Sequence, residues 1–282
     1  MPGLGLGLEL PKMIDGSSSL GIIDRLGGIV ASGFVLGFSY HLLTRDYKGY
    51  CLRVRRASDD DVLDIGFVNG YIDYVAIATF CAGTNGFVAI RYNQYSAGND
   101  AVQVVLASQP KIYDSVTGFI DDGIELDGTD DYLTVVDYVA MQITSPVLNI
   151  YMNRKSIDAD TRYIFAKNEF TTTVTYALIQ TVTRYALKVD TTLIYSDVYA
   201  FTTNKILAAW NGTGVNESLV EVDGSIIRST LNPSPSNLTK IVIGARNGPG
   251  DVPTSFANGN IKTIIVFNTN RENDYTKIAS LV

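Results

Sequence analysis

The sequence predicts an all-β protein, a sandwich or barrel of many short strands. Three observations carry this expectation. Short apolar runs recur along the chain, rich in β-branched and aromatic residues (17 Tyr and 11 Phe) that suit a pleated, half-buried surface. Turn signals separate many of them, among them Asp127-Gly128, Asn211-Gly212, Asp223-Gly224 and Asn247-Gly248. And 282 residues suffice for a self-sufficient core, since a chain of this size buries roughly 75% of its unfolded surface.

The first elements differ from the rest. Leu4, Leu6, Leu8 and Leu10 alternate with Gly3, Gly5, Gly7 and Glu9, a period-two pattern for one strand. Glycine weakens such a strand, so it needs a partner to pair with. The Ser17–Ser19 run and Gly27-Gly28 read as linker. Residues 1–38 are therefore expected to be an arm that orders by adding to a neighbouring subunit, with Leu4, Leu6, Leu8, Leu10, Ile22 and Ile23 as its partner-binding residues. A disordered tail is the competing reading. Residues 39–282 are expected to form the sandwich.

Within that domain the sequence suggests a short helix over Ser39–Lys48, then a strand over Leu52–Arg56. Its Leu52 and Val54 face one way and Arg53 and Arg55 the other. The arginines, with Arg56, lie close to Asp59–Asp61 and read as ion pairs on a solvated face. Asp73 is an N-cap for a helix over Tyr74–Cys81, closed by Gly83 as a left-handed cap. A strand over Phe87–Tyr92 follows. Further strands are expected at Gly123–Leu126, Tyr132–Val136, Val147–Met152, Tyr163–Ala166, Thr173–Gln180 and Tyr185–Val189. The last group covers Lys205–Trp210, Ser218–Val222, Ile226–Arg228, Lys240–Gly244 and Gly259–Phe267.

Bulk properties exclude several function classes. A net charge of −7 argues against nucleic acid as a partner, which needs a basic surface. The apolar run Leu26–Phe38 falls short of the ~20 residues of a spanning helix, so no membrane partner is expected. No basic region precedes an apolar run near the N-terminus, which argues against secretion, and the sequons at Asn211, Asn216 and Asn237 then read as chance. Cys51 and Cys81 could pair, but nothing in their spacing demands it, and without a disulfide framework a reducing assembly compartment is expected.

Several motifs carry a family resemblance. Tyr50 to Arg56 opens the stretch, Asp64-Ile65-Gly66-Phe67 and Phe87–Gln94 continue it, and Leu126-Asp127-Gly128-Thr129-Asp130-Asp131 closes it. This order resembles the catalytic domain of fungal α-L-arabinofuranosidase B, which implies a concanavalin A-like jelly roll. The second half, with Trp210-Asn211-Gly212, Val222-Asp223-Gly224 and Ile241–Ala245, is similar to a laminin-G or pentraxin-type sandwich. The same module is similar to those of bacteriophage virion proteins. That resemblance implies a virion structural protein, docked by its arm to other virion proteins, self-associating and non-enzymatic. The alternatives are a lectin-like adhesin for surface glycans and a glycoside hydrolase.

Candidate chemistry follows from the same resemblance. If the chain is hydrolytic, Glu169 stands near the family's nucleophile. Arg246 falls where the acid should be, leaving Asp251 as substitute. Arginine cannot donate that proton, because its pKa stays above ~12. Asn93 replaces the acid of the family's Tyr-Asp-Gln loop, and Gly86 replaces a second cysteine after Cys81. Tyr92, Gln94, Tyr95, Asp127 and Asp130 are candidate glycan contacts. Asp127, Asp130 and Asp131, with Asp121 and Asp122, could supply oxygen ligands to Ca²⁺, but an acidic turn closing a hairpin is the preferred reading, and no metal or cofactor is expected. His41 is the only histidine and reads as structural.

Overall fold

Side-chain alternation across the pleat, repeated strand after strand, builds the architecture. The structure is a computed structural model that describes residues 21–26, 33–95, 98–142, 147–168, 174–198, 203–231, 240–248 and 252–281. The first elements are β1 (Phe34–Ser39), β2 (Leu52–Arg56), β3 (Val62–Ile65), β4 (Phe67–Val68), β5 (Tyr71–Ile72) and helix α1 (Tyr74–Phe80). Then come β6 (Gly86–Arg91), β7 (Ala101–Val102), β8 (Lys111–Asp114), β9 (Gly118–Phe119), β10 (Ile124–Asp127) and β11 (Leu133–Val135). The middle holds β12 (Leu148–Ser156), β13 (Arg162–Asn168), β14 (Val174–Gln180), β15 (Tyr185–Val189) and β16 (Thr192–Tyr195). β17 (Thr203–Trp210), β18 (Ser218–Val222), β19 (Ser225–Ser229), β20 (Ile241–Ile243), β21 (Arg246–Asn247) and β22 (Pro253–Thr254) follow. β23 (Asn258–Phe267) and helix α2 (Tyr275–Leu281) complete the described chain.

Among the described residues, nineteen strands join in one antiparallel sheet. Its path runs β19–β18–β17–β12–β23. The other edge of β23 is shared, with β10 along Asn258–Ile261 and β1 along Thr263–Phe267. From β10 the sheet continues through β8, β6, β7, β11, β20, β13, β14, β15 and β16. Its last strands, β15 and β16, return against β18 and β19, so the sheet nearly closes as a sandwich. The all-β fold read from the sequence is the fold observed.

Two apolar layers explain why the central strands are buried on both faces. Leu148, Ile150 and Met152 of β12, Ile206 and Ala208 of β17, and Ile264 and Val266 of β23 fill the main core. The alternate residues Tyr151, Leu207, Ala209, Ile265 and Phe267 face a second cluster. That outer face is closed by Tyr275 and Ile278 of α2 and by Ile22 and Ile23. The assignment of Ile22 and Ile23 to a neighbouring subunit is therefore corrected. They are 3% and 2% exposed, and their N–H groups donate to the carbonyls of Leu42 and Leu43 in the same chain. The boundary at residue 38 moves as well, because Phe34–Phe38 lie in β1, buried and paired to β23. Leu4, Leu6, Leu8 and Leu10 lie outside the described residues.

Other local expectations divide. Asp73 caps α1 by accepting from the Ala76 N–H at 2.9 Å, and Gly83 takes φ +78° beyond its end. Asp223 and Gly224 have φ of 49° and 92°, the two left-handed residues of a primed hairpin turn between β18 and β19. No helix forms over Ser39–Lys48; Ser39 ends β1, and His41 bridges to Tyr71. Asp127-Gly128 closes no hairpin, since β10 pairs with β23 and β8 while β11 pairs with β20 and β7. Cys51 and Cys81 are buried free thiols. A Cβ at Gly86 would stand 2.6 Å from the Cys81 sulfur, so glycine there leaves room for the reduced thiol.

Candidate functional site

The loop between β1 and β2 carries Tyr47-Lys48-Gly49-Tyr50, and the chain leaving β6 carries Tyr92, Gln94 and Tyr95. Between them lies an open groove of about 490 Å³, which Asp46 and Asp100 also line. Tyr50 and Tyr95 are half exposed, at 50% and 45%. The rings of Tyr50 and Tyr92 meet with centroids 5.9 Å apart. Such rings offer apolar faces with a polar tip, the combination that suits a sugar's C–H face and its hydroxyls.

A relay of polar contacts fixes this wall. Arg53 grips Asp64 with two bonds of 2.8 Å, and Asp64 accepts the Tyr92 hydroxyl proton at 2.6 Å. The Arg53 hydrogen bond holds the Asp64 carboxyl below its ordinary range. Burial raises the Tyr92 phenol, and its bond to Asp64 adds to the effect. Across the groove, the Tyr47 hydroxyl donates to the Tyr50 carbonyl at 2.7 Å. Burial pushes the Asp100 carboxyl up, countered in part by the Asn93 N–H that donates to it at 2.8 Å. Thus the groove contains a desolvated carboxyl beside aromatic faces.

Gln94 has a different role from the one expected. Its amide oxygen accepts from Leu43 N–H at 2.7 Å, and its nitrogen donates to the carbonyls of Ser39 and His41. At 1% exposure it shapes the loop that carries Tyr47 and Tyr50 and offers a ligand little. Asn93, which replaces an acid of the resembled family, is equally structural. Its oxygen accepts from Gly37 N–H at 2.9 Å and Tyr95 N–H at 3.1 Å.

Asp127 and Asp130 lie apart from this groove, at the end of β10 and on the turn that follows it. Asp127 accepts N–H bonds from Thr129, Asp130 and Asp131, and Asp131 accepts one from Asp127. The carboxylates of Asp127, Asp130 and Asp131 come within 4.8 Å of one another and could offer three oxygens to a cation. Burial pushes Asp131 up to about 7, helped by the charge of Asp127. Asp121 and Asp122 are engaged elsewhere, with Lys262 and Lys155.

Glu169 and Asp251 lie outside the described residues. The backbone around them is informative: Phe165 pairs with Ile243 and Lys167 with Ile241. Arg246 therefore lies beside the start of β13, its guanidinium 5.5 Å from the centre of the Tyr163 ring. The strand end at Asn168 is five residues beyond Tyr163, roughly 17 Å away at ~3.3 Å per residue. Lys167, near that end, is fully buried and ion-paired with Asp137. Burial lowers the Lys167 pKa while the Asp137 hydrogen bond raises it, and the net effect is a depressed value.

Of the five expected ligand contacts, the structure brings Tyr92, Gln94 and Tyr95 together. Sequence reasoning missed Tyr47, Tyr50, Asp46 and Asp100. The usable signal was the pair of tyrosines around Lys48-Gly49: Tyr47 lay in the helix expected over Ser39–Lys48, which does not form, and Tyr50 was read only as the start of the family motif.

This groove falls within the segment, residues 39–151, that matches the family model described as alpha-L-arabinofuranosidase B, catalytic. No curated protein sequence matches the chain. Among solved structures, it resembles a GH54 α-L-arabinofuranosidase soaked with a cyclic sulfate inhibitor, with a TM-score of 0.69 and 14% identity. An arabinofuranosidase complexed with arabinofuranosyl-α-1,2-xylobiose gives the same values. Each alignment covers 93% of this chain and 65% of the solved one, so the chain spans less than two thirds of its neighbours' length. Over nearly all of its length, this chain shares the sandwich fold of those arabinofuranosidases.

Proposed function

We propose that this chain is a carbohydrate-recognising sandwich of the arabinofuranosidase type, and that its sugar-facing surface is the groove between Tyr47–Tyr50 and Tyr92–Tyr95. The observation that carries the reading is the groove itself: four tyrosines with Asp46 and Asp100 around about 490 Å³, inside the segment that matches the arabinofuranosidase model. The test is calorimetric titration with arabinofuranosyl-substituted oligosaccharides. Tyr50→Ala removes a half-exposed ring and is expected to weaken binding roughly tenfold. Unchanged affinity in that variant refutes the assignment of the groove.

A second reading, hydrolysis, is favoured by the match to a catalytic domain. A chromogenic arabinofuranoside tests it, with Glu169→Gln expected to abolish turnover; equal rates in wild type and variant would remove Glu169 as nucleophile. As to setting, we keep the bacteriophage virion proposed from sequence, with attachment to other virion proteins and self-association. Its support is the resemblance of the module and the leucine alternation at residues 4–10. Mass spectrometry of purified particles is expected to find the chain at stoichiometric abundance.

A further inference from the structure

The tyrosine groove is one of three contiguous depressions. A second, of about 510 Å³, lies on the other side of the Tyr47–Tyr50 loop and reaches Phe67, Asn69 and Gly70. The third, of about 370 Å³, shares Leu42, Asn69 and Gly70 with the second and extends past His41 and Tyr71 to Ser280 on α2. An aromatic pair marks each one in turn: Tyr50 with Tyr92, Tyr47 with Phe67 at 6.3 Å, and His41 with Tyr71 at 4.7 Å. Burial and nearby Lys262 hold the His41 imidazole down to about 4, so that ring is uncharged near neutral pH.

Resting on the carbohydrate reading above, we infer that the three depressions form one trench that binds an extended oligosaccharide, several units long, along the surface. A single terminal sugar would fill only the first. Aromatic faces recurring along an open groove suit successive sugar rings, since each ring has a C–H face to stack. The polar groups between them, Lys48, Asn69 and Ser280, suit the hydroxyls that point sideways. A deep apolar pocket for one small ligand would instead be enclosed.

The experiment is a length series of arabinofuranosyl-substituted xylo-oligosaccharides, from two to six units, titrated against the full chain. Affinity is expected to rise at least about tenfold from the shortest to the longest. Two variants localise the gain. Ser280→Trp fills the third depression from an exposed helix position, and Asn69→Gly removes an amide while keeping a residue suited to its φ of 52°. Both are expected to erase the gain with length while leaving the shortest ligand unaffected. Length-independent affinity that still depends on Tyr50 overturns the trench and leaves the groove assignment standing. Absence of binding by every member overturns both.

Discussion

Replacing Ile23 by alanine separates a partner-docking arm from a built-in part of the core. The side chain is 2% exposed and packs in the cluster of Phe34, Leu43, Phe267, Tyr275 and Ile278. Ile→Ala removes three carbons, about 2.4 kcal/mol of transfer free energy at ~0.8 kcal/mol per group. The cavity left behind adds to this, because β23 and α2 close only partly over it, and buried Ile→Ala changes cost about 2–5 kcal/mol. Taking about 3 kcal/mol against an unfolding entropy of ~2.1 cal/mol/K per residue, the melting temperature of a chain this size falls by roughly 5 °C. The assay is urea and thermal unfolding of the purified protein followed by circular dichroism, at two protein concentrations. A loss of that size, independent of concentration, is expected. Unchanged stability with weakened self-association would refute the placement of Ile23 in its own core and restore the arm.

Two further outcomes are expected. Deleting residues 1–38 removes nearly all of β1 as well as Ile22 and Ile23, baring the edge of β23 along Thr263–Phe267 and taking Ile22, Ile23 and Phe34 from the outer cluster. That truncation is expected to lack a cooperative unfolding transition, and a folded product with native near-ultraviolet dichroism would contradict the pairing of β1 with β23. Stability is also expected to fall between about pH 4 and pH 7. Folded Asp131 keeps its proton up to about pH 7, whereas the unfolded chain gives it up near 4, so the native state binds more protons across that window. The effect is at most about 4 kcal/mol. Glu221, also raised to about 7 by burial and by Glu272, acts in the same direction. Asp131→Asn keeps an acceptor for the Asp127 N–H and is expected to flatten the slope of urea midpoint against pH; an unaltered slope would exclude Asp131 as its source.

The strands were legible because their signal is local. Leu148, Ile150 and Met152 alternate with Asn149, Tyr151 and Asn153, and the turn at Asp223-Gly224 requires two left-handed residues that those types accept. What the sequence hid depends on distant partners. Phe34 and Leu36 looked like part of an arm because their pairing partners, Phe267 and Val266, lie more than two hundred residues away. The segment after Ser39 looked helical because its true restraint is Gln94, whose amide bonds to Leu43, Ser39 and His41 across the fold. The groove was half visible for the same reason. Tyr92 and Tyr95 stood in a recognisable loop, whereas Tyr47 and Tyr50 became its second wall only through that fold-back.

The position of β23 in chain order has a consequence for synthesis. This strand pairs with β1, β10 and β12, yet it begins at residue 258. During translation the three earlier strands must wait, each with the edge that β23 covers left open, until residues 258–267 leave the ribosome. Long-range pairing of this kind folds slowly and exposes unpaired strands to aggregation in the interval. Premature termination anywhere before β23 would therefore leave a sticky intermediate, a natural client for chaperones, rather than a smaller version of the same sandwich.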